Sequence, residues 1–186
     1  MFTIDSNPPA FASRAVGILE GHIKLDPTRG EKAIILVTPD EAEIPGNVHG
    51  QAAEAIIHNP LLLAVPVRVL AYPRTRKNFL EILVVNVEEA GKTPSSEKDF
   101  FLIQGWNLGS RVRGMSQIAI RPNKKTRHHF EKFWLSLHGH LKENMKCVYQ
   151  LRALRKGRKL FIVESAPILP PQCNPQKRKL PARSVT

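Results

Sequence analysis

Turn residues decide how this chain can fold. From residue 13 to about residue 165, Gly, Pro, Asn and Asp recur so often that apolar runs stay short. One clear helical piece stands in the front half, Gln51–His58. Asn59-Pro60 stops it, because proline disfavours helix at the residue before it. The remaining runs alternate or are β-branched, which is the pattern of strands.

In chain order, Ser13–Leu25 alternates loosely and is interrupted by Gly17 and Gly21. Glycine inside a strand marks a bend or bulge, as in the coiled first strand of a small barrel. After the turn Asp26–Gly30, Ala33–Val37 is a compact strand and Glu43–Val48 a candidate short return strand. Beyond the helix, Val65–Leu70 and Phe79–Val87 read as strands joined by the loop Tyr72–Asn78. In the back half, strands are expected at Phe100–Asn107, Gln117–Arg121, Phe133–Leu141, Cys147–Leu154 and Leu160–Glu164, the last two as a hairpin. A helix over Thr126–Phe133 is the alternative for the long loop between them.

Three strands, a helix and two strands is the order of an OB barrel, and residues 13–89 resemble that topology. The five later strands resemble a second such barrel without a helix. The expected fold is mainly β: two small OB-like barrels in tandem, one short helix in the first, and a disordered basic tail. The boundaries are an N-terminal arm at 1–12, a near-neutral barrel at 13–90, a linker at 91–98, a strongly basic barrel at 99–168 and a Pro/Lys/Arg tail at 169–186. At this level the chain resembles tandem OB-fold-like proteins that bind single-stranded nucleic acid, with no specific family indicated.

Charge separates the halves. Residues 1–98 hold 10 Lys and Arg against 12 Asp and Glu, whereas residues 99–186 hold 18 against 4. A half this basic favours an anionic partner, nucleic acid before membrane. The longest apolar run, Leu61–Val67, is too short to span a bilayer. Cys147 and Cys173 make no disulfide framework, which fits an intracellular, reducing setting such as the cytoplasm, an organelle or a nucleoid.

The candidate interface is built from cationic turns and one strand face. Arg111 and Arg113 form one cluster; Arg121, Lys124, Lys125 and Arg127 a second; Arg155, Lys156, Arg158 and Lys159 a third. Arginine forks to a phosphate and lysine acts as a point charge. On strand 133–141, Trp134, Ser136, His138 and His140 share the face opposite Phe133, Leu135 and Leu137. Trp106, Gln104, Gln150 and Arg152 are expected to extend that face. Stacking on bases competes with core packing as the role of Trp106 and Trp134.

Enzyme chemistry finds little support. The four acids of the basic half, Asp99, Glu131, Glu143 and Glu164, do not pair at short spacing, whereas metal-dependent hydrolysis needs clustered carboxylates. No phosphate-binding glycine loop, dinucleotide fingerprint or nucleophile elbow is present. Neither a metal nor a cofactor is expected. The reading is therefore non-enzymatic binding of single-stranded DNA or RNA, with a protein partner for the first barrel as a further expectation. Two alternatives stay open: an assembly factor docking on an acidic protein or ribonucleoprotein, and a nucleic-acid-processing enzyme built on His128, His138 or His140.

Overall fold

The computed structural model describes residues 13–91, 99–110, 112–120, 133–141 and 147–168. The expected arm, the linker beyond Gly91 and the tail lie outside these residues. The strands are β1 (Arg14–Leu25), β2 (Ala33–Val37), β3 (Glu43–Val48), β4 (Val67–Arg76), β5 (Phe79–Glu89), β6 (Phe100–Asn107), β7 (Met115–Ile120), β8 (Phe133–His138), β9 (Val148–Lys156) and β10 (Lys159–Ile168). The helix α1 (Gln51–His58) falls where Gln51 and Asn59-Pro60 place it and buries Ala52 and Ile56.

The strands close into two rings of the same order. In the first, β1 meets β2, β2 meets β3, β3 runs parallel to β5, and β4 joins β5 back to β1. In the second, β6, β7, β8, β10 and β9 repeat the sequence, again with one parallel contact, β8 to β10. This is the OB order, once with a helix between the third and fourth strands and once without one among the described residues.

The rings are joined through their first strands. Arg14–Ile18 pairs antiparallel with Phe100–Gln104, and each strand then turns to its own ring's second strand. A glycine sits at each change of partner. A Cβ on Gly21 would lie 2.3 Å from the Val37 carbonyl oxygen, and one on Gly105 2.7 Å from that of Ala119. Two backbones approach so closely there that no side chain fits.

One continuous core runs through both rings, from Leu19, Ile34 and Val69 to Phe101, Ile118, Leu135 and Leu151. Burial of each such side chain contributes about 1.5–3 kcal/mol. The alternation legible in the sequence generates it: on β8, Leu135 and Leu137 are sealed while Trp134 is 51% exposed.

Several expected boundaries move. Tyr72–Arg76 is strand, not loop, and only Lys77 and Asn78 turn the chain, both at positive φ. That is the backbone of a two-residue hairpin turn matched to strand twist. β8 stops at His138 because Gly139 adopts φ 121°, so Leu141 and His140 leave the strand. β10 extends past Glu164 to Ile168. The alternative helix at Thr126–Phe133 lies outside the described residues except for Phe133, which is strand.

The tips of the first ring reach the second. β8 and β10 share a single register pair, His138 with Phe161, and then part. The end of the β4–β5 hairpin stands in that gap. Thr75 Oγ1 accepts the Ser136 N–H at 2.9 Å and donates to the Trp134 carbonyl at 3.4 Å. On the other side the Leu80 N–H donates to the Arg158 carbonyl at 2.8 Å. A free strand edge is thereby covered by a neighbouring element.

Candidate nucleic-acid interface

The outer face of the second ring carries a row built by register. Trp106 pairs with Ala119, and Ala119 pairs with Trp134. Directly opposed residues of antiparallel strands project to the same face. Both tryptophans therefore lie on one side of β6–β7–β8, with the small, sealed Ala119 between them. Trp106 is half-buried and Trp134 half-exposed. Their neighbours of opposite parity, Ile118 and Leu135, are fully buried.

Arg121, Lys124, Lys125 and Arg127 belong to the connection that leaves β7 two residues after Ala119; they lie outside the described residues, as does Arg111. Arg113 is exposed in the turn entering β7. Gly157 and Arg158 form the two-residue turn of the β9–β10 hairpin, where Gly157 takes φ 56°. Lys156 and Lys159 flank it and are exposed.

Arg155, expected among the outward cations, is not one of them. It is 5% exposed. Its Nε donates to Asp99 Oδ1 at 2.7 Å, and its Nη1 and Nη2 fork to Asp40 at 3.0 and 2.9 Å. Nη1 also donates to the Gly157 carbonyl at 3.0 Å. The guanidinium is spent on tying the β2–β3 tip of the first ring to the β9–β10 turn of the second. Losing a buried charged partner of this kind typically costs about 3–5 kcal/mol, so its role is architectural.

The other expected residues separate by position. His138 stacks on Phe161 with centroids 4.8 Å apart. Burial, and then the charge of Lys159, hold its pKa below the ordinary imidazole value. His140 is exposed beyond the end of β8 and does not share the register of Trp134. Gln150 is exposed on β9. Arg152 lies with its guanidinium carbon 4.1 Å from the Phe100 ring centre and pairs with Glu164 at 3.4 Å. Gln104 shares the parity of Trp106 on β6 and pairs with Gln150, but at 1% exposure it is covered and does not reach the surface. Cys147 packs half-buried against the core. Among the described residues no three His, Cys, Asp or Glu side chains come together to hold a metal.

The first ring reaches this region through the run Arg74–Lys77, the cationic feature of that half which the sequence already offers as an extension of the groove. Arg74 places its guanidinium carbon 3.4 Å from the Phe133 ring centre, and Arg158 lies 5.3 Å from that of Phe79. Burial lowers the pKa of Arg74 from its ordinary value. Arg76, Lys77 and Asn78 are exposed at the same tip. The run Arg74–Lys77 was legible as a cationic feature; Phe79 at the head of an apolar strand carried no signal of exposure.

No family model matches the sequence, and no curated protein matches it. The fold is similar to that of a solved structure, a deletion mutant of the single-stranded DNA binding protein from Thermus aquaticus. The TM-score is 0.50 at 9% identity, over 87% of this chain and 98% of that one. At that identity the likeness is one of fold alone, and together with the repeated ring order it identifies this chain as a mainly β protein with an OB-like fold.

Proposed function

We propose that this chain binds single-stranded DNA without catalysing a reaction on it, using the outer face of β6–β7–β8. The observation that carries the reading is the row Trp106–Ala119–Trp134, half-open to solvent on the second ring. Flat bases stack on such rings, and cations along the rim neutralise the backbone. The fold-level likeness to a protein named for binding single-stranded DNA supports the same ligand. Arg113, Lys156, Arg158 and Lys159 are the described cations assigned to phosphate; Arg121, Lys124, Lys125 and Arg127 join them from the β7–β8 connection. RNA is the alternative ligand of the same surface, and competition between DNA and RNA strands of one sequence separates the two.

The test is titration of labelled single- and double-stranded oligonucleotides at several salt concentrations. The single strand binds more tightly, and affinity falls steeply as salt rises. Trp134→Ala weakens binding by about 1–3 kcal/mol, the worth of one base stack, while its melting temperature stays near that of the parent. Weak binding without length dependence would move the reading to an acidic protein partner. Unaltered affinity per folded molecule in Trp134→Ala would remove the row from the interface.

A further inference from the structure

The gap between β8 and β10 is one of the places where the two rings touch, and its chemistry differs from that of an ordinary packing seam. The β4–β5 hairpin places Arg76 opposite Phe79, with Lys77 and Asn78 at the turn. A seam meant only to hold two rings together would seal its aromatic. Phe79 is instead 43% exposed. The guanidinium carbon of Arg158, from the second ring, lies over the Phe79 ring at 5.3 Å from its centre, so a cation backs one face of an aromatic that is still partly open.

Two further atoms mark the place. Arg158 Nε and Arg74 Nη1 are buried and have no hydrogen-bond partner among the described residues. Buried donors are normally satisfied, and a charged one left unpaired is costly. One donor of each guanidinium is left unsatisfied near the hairpin, where Arg74 stands opposite Glu81 in the register and Arg158 lies over Phe79. Thr75, the next residue along, holds the backbone of Trp134 itself. The hairpin tip is thus fastened beside the exposed tryptophan and cannot drift from it without losing the bond to Ser136.

We infer that the tip of the first ring's β4–β5 hairpin is part of the second ring's binding face, with Phe79 and Arg158 forming a further stacking position beyond Trp134 and with Arg76 and Lys77 contacting the phosphates that follow. This rests on the proposed binding of single strands and names a composite site within it. The first ring then has a binding role of its own, despite its near-neutral charge. A strand that occupies Trp134 continues across the seam, where each cation gained adds to the salt dependence.

The experiment compares the full chain with Phe79→Ala, Phe79→Trp and the pair Arg76→Ala with Lys77→Ala, using oligothymidylates of increasing length. The parent gains affinity with length until the strand spans the seam. Phe79→Ala keeps the parent's affinity for the shortest strands and loses roughly tenfold for long ones, the range of one base stack. Phe79→Trp restores it. Removing Arg76 and Lys77 lowers the salt slope for long strands by about 1.4, two phosphate contacts at the single-strand increment. Parental length and salt dependence in all three variants, while Trp134→Ala still weakens binding, overturns the composite site and leaves the proposed function standing. A parent that binds no single strand at any length overturns both.

Discussion

The partner-switching glycines are single residues on which the ring geometry turns. Gly105 has no room for a Cβ: Ile118 Cγ2 would stand 2.5 Å away and the Ala119 carbonyl oxygen 2.7 Å away. The obstruction includes backbone, so it cannot rotate aside. Gly105→Ala is expected to cost about 1–3 kcal/mol and to lower the melting temperature accordingly; an unchanged melting curve would show that β6 bends without needing the glycine. The bend at Gly21 was legible in the sequence because a glycine breaking an alternating run has few other uses. The reason it must be glycine was not, because Val37 closes on it from another strand. The same limit explains Arg155. In the sequence it is one cation of a basic turn, indistinguishable from Lys156. Its burial depends on Asp40, far away in the chain.

At the scale of elements, strands reveal themselves by alternation, whereas the placement of hairpin tips does not. The β2–β3 tip is held by Thr38, whose hydroxyl donates to Asp40 at 2.6 Å, and Asp40 in turn receives Arg155 and the Gly157 N–H. The hydrogen bonds from Arg155, and then that from Thr38, hold the Asp40 carboxyl well below the usual carboxylate range. A folded protein that keeps this group ionised binds fewer protons than its unfolded chain once the pH drops to about 4. The contribution of the clamp is therefore complete above that pH and is lost as the pH falls further. Urea unfolding midpoints at pH 7 and pH 3 test this. The parent should lose more stability between them than Asp40→Asn, and the two curves should approach each other in acid. Parallel losses would mean that the tip contributes no pH-dependent stability. Tyr72–Arg76 teaches the complementary lesson: a proline and two cations resemble a loop, but an edge held against another ring tolerates both.

At the scale of the whole molecule, the chain forms two rings of the same strand order, one on either side of residue 98. Their energetics run together. The buried cluster is continuous from Leu19 to Leu151, β1 pairs with β6, and the hairpin tips cross in both directions through Thr75, Leu80 and Asp40. Neither ring can open without exposing apolar surface and unpaired backbone belonging to the other. Cooperative, single-step unfolding follows when local openings cost as much as global ones. The two tryptophans provide a selective probe, since both lie in the second ring. Tryptophan fluorescence then reports that ring, while far-ultraviolet circular dichroism reports the strands of both. The two denaturation curves should coincide. If fluorescence changes at a lower denaturant concentration than dichroism, the rings are separable, and the Thr75 bond to β8 is too weak to couple the hairpin to the face it borders.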